Sequence, residues 1–219
     1  SNSAYPEISA VWHEGEDFLR KSLDHLRGRG RRRLAVIKGA TAEKLPHAFD
    51  ESSLTMEAAR RGMELRPEWL QSIHWSVAWD SRNLTRLLLG GRPGERPDAL
   101  LLTDSVFAEP ATAAVRDMGL DSGTDLTVVS HCNFPETPAT SFPVTFVGID
   151  VERALEVFLE AMRTMKSGAA AGLVPPLRYE LREHTAEPAR ISMPAKGGQR
   201  KNKARSGSRE KIFIHSHST

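Results

Sequence analysis

The sequence predicts an α/β protein built on a doubly wound parallel sheet that helices cover on both faces. Short, uniformly apolar segments suit strands that are buried on both faces of such a sheet. Amphipathic segments of about 10 to 15 residues separate them, as the crossover helices of βαβ units do. Glycines follow several of these segments, where a helix commonly ends. A chain of 219 residues is long enough to bury a core without disulfide or metal staples.

Helices and strands are predicted to alternate along the chain. Phe18, Leu19 and Leu23 recur at helical spacing in the first amphipathic segment. The longest helix carries an apolar stripe at the same kind of spacing, made of Ala154, Leu155, Phe158, Leu159 and Met162. The predicted helices cover residues 14–27, 51–61, 80–89, 107–118 and 151–166. The predicted strands cover residues 34–37, 73–77, 99–102, 126–129, 144–147 and 177–181.

Charge is divided unevenly between the body and the end of the chain. The net charge is +2, but residues 190–219 contain eight basic residues and one acidic residue, which leaves −5 for residues 1–189. The Lys, Arg, Gly and Ser of residues 187–219 predict a flexible basic tail. Its charges could contact nucleic acid, although such termini are more often solvated extensions.

Several classes of function are disfavoured by the sequence. The single cysteine, Cys132, excludes a disulfide framework and a cysteine-rich zinc site. No apolar run approaches the roughly 20 residues of a membrane span. Glycine-rich phosphate loops and the HExxH and CxxC metal motifs are absent. We therefore expect no cofactor and no metal.

Polar and aromatic residues concentrate just after the predicted strands. The carboxyl ends of parallel strands form the ligand crevice of open α/β sheets, and an indole face beside short polar groups suits a sugar-like ring. The alternative is that the tryptophan belongs to the core and the others cap helices. Cys132 beside His131 could be a nucleophile, but neighbouring residues on a strand point to opposite faces. The residues concerned are Trp75, Asp104, Ser105, His131, Cys132 and Asn133.

Four motifs in register resemble the lactose-repressor (LacI/GalR) family of transcriptional regulators. Residues 96–108 (RPDALLLTDSVFA), with 115–120 and 125–130, resemble the family's PxAIFxxNDxxA, LRxxGL and DVSVVG run. Residues 26–37 are similar to its LxxxGHRRIAxI. Residues 144–147 resemble its LTTV, and residues 175–185 its closing strand. The resemblance covers about residues 8–186.

This resemblance implies a sensor domain of the type I periplasmic-binding-protein-like fold, bilobal with one lobe incomplete. The domain is expected over residues 1–186, with a C-terminal lobe over about 38–143 and a partial N-terminal lobe over about 8–37 and 144–186. The family's N-terminal helix-turn-helix and hinge have no counterpart in the sequence, so this chain is expected to begin near the crossing into the second lobe.

The resemblance also implies where an effector binds. Trp75 matches the family's effector-stacking aromatic residue, Asp104 the Asn of its Asn-Asp pair, and Ser105 the Asp. Cys132 and Asn133 match a later Asp-Asp pair, whose first carboxylate usually accepts hydrogen bonds from the ligand.

One family feature is missing. The effector-binding arginine expected between residues 47 and 53 has no counterpart, and Asp50 is the candidate in that segment. Either Asp104 supplies a compensating acceptor or the effector differs from the family's usual sugars.

The implied function is non-enzymatic sensing in the cytoplasm. A small polar, sugar-like effector would alter operator-DNA binding by the absent N-terminal domain, in a homodimer and without a membrane partner. The alternative is a periplasmic-type solute-binding protein of the same fold.

Overall fold

The structure, a computed structural model, describes residues 15–40, 51–166 and 177–184. They lie in the first of two compact units, residues 1–189; the second unit, residues 190–219, includes most of the predicted basic tail and lies outside the described residues. The described helices are α1 (Gly15–Gly28), α2 (Glu51–Arg60), α3 (Ser81–Leu89), α4 (Ala108–Asp117) and α5 (Val151–Lys166). The described strands are β1 (Leu34–Gly39), β2 (Leu70–Ile73), β3 (Ala99–Leu102), β4 (Thr127–Phe134), β5 (Val144–Asp150) and β6 (Glu180–His184). Three 3-10 helices cover Pro67–Trp69, Trp75–Asp80 and Ser105–Phe107.

All six strands form one sheet in the order β2-β1-β3-β4-β5-β6. The neighbours from β2 to β5 are parallel, and β6 is antiparallel to β5. Helices α1 and α2 cover one face, where Leu23 and Leu54 join Val36 in one core cluster. Helices α3 and α4 cover the other face, where Leu89 and Val115 join a second cluster. The predicted doubly wound α/β class is therefore confirmed, as a mostly parallel sheet.

The central strands are buried on both faces. Every residue of Ala99–Leu102 is fully buried, as are residues 34–37. Alternate side chains of each strand enter opposite clusters, because successive residues point to opposite faces. Burial of each such leucine stabilises the fold by about 1.5–3 kcal/mol.

The observed strands differ from the predicted ones in their bounds, and three differences change the elements around the candidate site. Residues 73–77 are not one strand, because β2 ends at Ile73 and Trp75 begins a 3-10 helix that the His74 side chain caps. The strand predicted at 126–129 continues to Phe134, since residues 128–134 pair with residues 144–150 of β5. The last strand covers Glu180–His184 rather than 177–181.

The predicted lobe boundaries do not coincide with any division of the sheet. Residue 38 lies inside β1, and β1 is hydrogen-bonded between β2 and β3. Strands β5 and β6, assigned to the partial N-terminal lobe, extend the same sheet beyond β4. The described strands form one sheet, and the division of the chain between two lobes stays a prediction. Motif order along the chain does not specify which strands pair.

Helix α5 covers the predicted residues, but its larger apolar side chains are exposed. Ala154, Val157 and Ala161 are half-buried, and the helix contacts β4 and β5. The exposed apolar side chains lie between 39% and 57% accessible, and they are Val151, Leu155, Phe158, Leu159 and Met162. Among the described residues, this stripe has no covering element.

A buried carboxylate joins α1 to the segment that leads into β6. Asp17 accepts hydrogen bonds from Lys21 Nζ at 2.9 Å and from the Tyr179 backbone N–H at 3.1 Å. Lys21 also donates to the Tyr179 carbonyl. Burial opposes ionisation of Asp17, but the hydrogen bonds from Lys21, Tyr179 and Arg20 outweigh it and hold the pKa of this carboxyl below its ordinary value.

None of the described helices combines the length and the apolarity that a membrane crossing requires.

Candidate functional site

The candidate site lies along the carboxyl edge of the parallel strands. The pairing register sets Gly39 of β1 level with Ile73 of β2, and Leu102 of β3 level with Ser130 of β4. Because these strands are parallel, the residues after their carboxyl ends gather on one edge of the sheet.

Trp75 lies against the backbone of β1. A Cβ atom on Gly39 would lie 2.6 Å from the indole Nε1, so only a glycine permits this approach. The indole is nevertheless 47% exposed. His74 fixes the start of the 3-10 helix, since its Nδ1 accepts the Ser76 backbone N–H at 3.3 Å. Trp75 is therefore a held but accessible aromatic surface rather than a core residue.

Asp104 and Ser105 lie directly after β3. Asp104 precedes the 3-10 helix Ser105–Phe107, and its Oδ1 accepts the Val106 backbone N–H at 3.1 Å. Both Asp104 and Ser105 are partly exposed, while Phe107 is fully buried and anchors the turn. Asp104 is thus a helix cap, as the alternative interpretation held, and Oδ2 of the same side chain has no hydrogen-bond partner among the described residues.

The loops that follow β1 and β3 are tied together. Thr103 Oγ1 accepts the Gly39 backbone N–H at 3.3 Å, and the Thr103 N–H donates to the Ile37 carbonyl at 3.1 Å. The 3-10 helix Trp75–Asp80 contacts the 3-10 helix Ser105–Phe107, which in turn contacts β4. Trp75 and Asp104 are therefore brought to the same stretch of the edge.

Cys132 does not face this edge. It lies inside β4, is fully buried in the cluster beneath α3 and α4, and donates its thiol hydrogen to the Glu136 carbonyl at 3.1 Å. Burial raises the pKa of the Cys132 thiol to about 11. Cys132 therefore lies within β4 and not after it, because β4 extends past the position where the apolar run stops. Its expected contact with an effector stays a prediction.

Asn133 and His131 point to the face opposite Cys132. Asn133 is exposed close to the carboxyl end of β4. The His131 ring lies 5.6 Å from the Phe18 ring and 5.9 Å from the Tyr179 ring. Since β4 is a regular strand here, His131 cannot act as the base for a Cys132 nucleophile.

The edge also contains residues that the motifs did not identify. Gly39 follows an apolar strand, and a glycine in that place is a known signal of close approach by another group. Lys38 forms an ion pair with Glu51 at 2.6 Å. Asp50, the remaining predicted contact, lies outside the described residues. No group of three or more His, Cys, Asp or Glu side chains within the described ranges is placed to hold a metal ion.

Comparisons with known proteins place this fold in a family. The family model for the periplasmic binding protein-like domain matches residues 23–183. No curated protein matches the chain.

Among solved structures, a LacI family transcriptional regulator from Bifidobacterium animalis subsp. lactis superposes with a TM-score of 0.71 at 19% identity, covering 86% of this chain and 68% of that one. A sugar-binding LacI family regulator from Escherichia coli, complexed with phosphate, superposes with a TM-score of 0.65 at 17% identity, covering 80% of this chain and 62% of that one. A LacI family regulator from Lactobacillus casei with bound glucose superposes with a TM-score of 0.61 at 20% identity, covering 80% of this chain and 63% of that one.

The chain thus spans 62–68% of the length of these three regulators. At these identities the superpositions establish a shared fold. The family match extends over most of the described sheet, from α1 to β6. The chain belongs to the periplasmic binding protein-like domain family.

Proposed function

We propose that the chain is the effector-binding sensor domain of a LacI-family transcriptional regulator. It binds a small polar, sugar-like effector at the carboxyl edge of its sheet and carries out no chemistry. The observation that supports this most strongly is the exposed Trp75 indole, held against Gly39 beside the Asp104 turn.

The proposed contacts divide between stacking and hydrogen bonding. The Trp75 indole offers an apolar face for the C–H surface of a sugar ring. Polar contacts come from Asp104 Oδ2, which has no hydrogen-bond partner among the described residues, and from the Ser105 hydroxyl and the Asn133 amide. The buried Cys132 thiol is left out of the proposed contacts. A charge-assisted hydrogen bond to Asp104 would contribute about 1.5–3 kcal/mol.

The exposed stripe of α5 supports the bilobal part of the proposal. Five apolar side chains at helical spacing form a contiguous surface of the kind that marks an interface. We assign this stripe to packing against the other lobe of the sensor. Effector binding between two lobes would then alter their relative position, and through it operator binding by an N-terminal helix-turn-helix in a cytoplasmic homodimer.

Calorimetric titration of the 219-residue chain with neutral monosaccharides and nucleosides tests the site. We expect one ligand class to bind, and Trp75→Ala to weaken that binding at least tenfold, as expected from the loss of about 1.4 kcal/mol of stacking. Trp79→Ala is the matched control, because Trp79 lies on the same 3-10 helix and is 65% exposed. Silence across the panel, or equal effects of the two substitutions, would contradict the proposal.

A solute-binding protein of the same fold is the second candidate, favoured by the family to which the domain belongs. The coding sequence upstream of this chain separates the two. A helix-turn-helix there supports the regulator, whereas a secretory signal peptide supports the solute-binding protein.

A further inference from the structure

We propose that His74 is a further effector-binding residue, whose Nε2–H donates a hydrogen bond to an oxygen of the effector. This inference rests on the proposed function and adds a hydrogen-bond donor to its acceptor, Asp104, and its aromatic surface, Trp75. It follows from the hydrogen bonds that fix the His74 ring and from the place of that ring at the carboxyl edge.

The hydrogen bonds of Nδ1 fix the tautomer of His74. The Ser76 backbone N–H lies 3.3 Å from Nδ1, and a backbone N–H can only donate, so Nδ1 accepts. The Ser76 hydroxyl lies 2.8 Å from the same nitrogen and can donate to it as well. A ring nitrogen that accepts carries no proton, so the neutral ring of His74 carries its proton on Nε2.

This arrangement leaves the Nε2–H of His74 available. In the part of the chain that the structure describes, the hydrogen bonds of this side chain join Nδ1 to Ser76, and no ion pair involves the ring. The residue is exposed, and Nε2 is the ring nitrogen farther from the backbone. The Nε2–H is therefore a donor that a ligand can reach.

The His74 ring continues the aromatic surface of the candidate site. It is centred 6.2 Å from the Trp75 ring, with an angle of 37° between the two ring planes. His74 directly follows Ile73, whose carbonyl accepts the Ala40 N–H at 2.8 Å, so it lies where β1 and β2 end. A small ligand that stacks on the indole therefore lies beside the imidazole.

His74 and Asp104 occupy corresponding places on two 3-10 helices that contact each other. His74 caps Trp75–Asp80 and Asp104 caps Ser105–Phe107, each through one side-chain atom that accepts the backbone N–H two residues later. Each side chain keeps one polar atom without a hydrogen-bond partner among the described residues, and the two atoms have opposite roles, because Nε2–H donates and Oδ2 accepts. Neighbouring sugar hydroxyls suit both, since a hydroxyl donates and accepts.

The alternative is that His74 affects binding only through Trp75, as the cap of its 3-10 helix. Two substitutions separate these roles. His74→Asn keeps an oxygen near the position of Nδ1, and asparagine is a favoured cap, but it has no donor at the position of Nε2. His74→Ala removes both the acceptor and the donor.

Calorimetric titration of the 219-residue chain with D-glucose, D-ribose and uridine measures the affinity. For the probe that binds most tightly, we expect His74→Asn to weaken binding about fivefold, as the loss of one hydrogen bond predicts, and His74→Ala to weaken it at least as much. His184→Asn is the matched control and should leave the affinity unchanged, because His184 lies level with Val144 at the opposite, amino edge.

The Trp75 indole N–H resonance of the ¹⁵N-labelled chain shows whether the cap is kept. It is assigned among the four tryptophans by its loss in Trp75→Phe. In the free chain, this resonance should keep its position in His74→Asn. A loss of affinity without a change in this resonance is what a donor predicts and what a cap alone does not.

Long-range ¹H–¹⁵N correlation of the histidine side chains observes the tautomer itself at about pH 8, where imidazoles are ordinarily neutral. The chain contains eight histidines, and His74→Asn, or His74→Gln if the first variant does not fold, assigns the His74 signals by their loss. We expect a protonated Nε2 and an unprotonated Nδ1 in the free chain. The bound probe should shift Nε2 more than Nδ1.

The possible outcomes separate this inference from the proposed function. The donor role of His74 is overturned if the free ring carries its proton on Nδ1, or if a probe moves the Trp75 resonance and binds His74→Asn as tightly as the unsubstituted chain; the effector site then remains. If none of the three probes moves the Trp75 resonance, the proposed sugar-like effector fails, and the contact from His74 fails with it.

Discussion

Trp75 lies against Gly39 so closely that its indole Nε1 is 2.6 Å from the place that a Cβ on Gly39 would take. The backbone of β1 thereby sets the position of the aromatic surface. Gly39→Ala should push the indole outward and weaken effector binding at least tenfold, whereas the free energy of unfolding should change by less than about 1 kcal/mol because the indole can move.

Paired calorimetric and urea titrations measure these two effects. Gly28→Ala is the control, because a Cβ at Gly28 meets nothing within 4 Å. Unchanged ligand affinity in Gly39→Ala would show that the indole position does not matter for binding.

Gly148 is the position where a methyl group should damage the sheet itself. Its Cβ would lie 2.1 Å from the Cys132 carbonyl oxygen of the neighbouring strand, and backbone cannot move aside as a side chain can. We expect Gly148→Ala to lower the free energy of unfolding by about 3 kcal/mol. Urea unfolding beside Gly28→Ala measures this, and a loss below about 1 kcal/mol would mean that β4 and β5 are less closely paired.

Cys132 should resist alkylation in the native protein. Its thiol is buried and has a pKa raised to about 11, so the thiolate that reacts is scarce at neutral pH. Iodoacetamide should label it only after urea unfolding, as intact mass measurements would record. Rapid labelling of the folded chain would instead show a reactive thiol, and would support an enzymatic role for this residue.

Asp17 should make the stability of the fold dependent on acid pH. Burial opposes its ionisation, but the hydrogen bonds from Lys21, Tyr179 and Arg20 leave its pKa below the ordinary value. A lowered carboxyl pKa contributes stability above the unfolded value of about 3.9, and this contribution is lost as the pH falls through the folded pKa.

The matching variant is Asp17→Asn, which should lower the free energy of unfolding at neutral pH by about 2 kcal/mol. The difference from the unsubstituted chain should shrink below about pH 4. Urea titrations at the two pH values check this, with Glu16→Gln as the exposed control. A difference that is independent of pH would assign the effect of Asp17 to packing.

The stripe on α5 should contribute little to the stability of this chain. Phe158 is 45% exposed, so Phe158→Gln should change the free energy of unfolding by less than about 0.5 kcal/mol. Phe18→Ala, at a residue that is 2% exposed, should cost about 3–5 kcal/mol. Comparable losses in the two variants, measured by urea unfolding, would indicate that the stripe is covered.

The sequence predicted best the elements with a continuous or a strictly periodic apolar pattern. Residues 99–102 and 151–166 form the predicted strand and helix without a shift at either end. The end of β4 could not be predicted in this way, because polar His131 and Asn133 alternate with buried Cys132 and Phe134, and pairing with β5 keeps them extended. The pattern of polar and apolar residues along one segment does not show which other strand that segment pairs with.

At the candidate site too, the sequence predicted some positions correctly and could not predict those that depend on strand pairing. Trp75 and Asp104 follow the carboxyl ends of β2 and β3, as the sequence predicted, and their contact with an effector stays a prediction. Cys132 lies within β4 and not after it, because a motif match gives a position in the chain and not the end of a strand. The contact between Gly39 and Trp75 depends on the register of β1 and β2, which the sequence alone does not reveal.

Backbone amide mapping by NMR shows where on the sheet the effector binds. The ¹⁵N-labelled chain is titrated with the ligand that binds most tightly in calorimetry. We expect the amide resonances of Gly39, Trp75, Asp104, Ser105 and Asn133 to shift together, while those of Leu23 and Leu26 on α1 remain in place. Shifts confined to α1, or to the opposite, amino edge near Arg33 and Asp98, would contradict an effector site at the carboxyl edge.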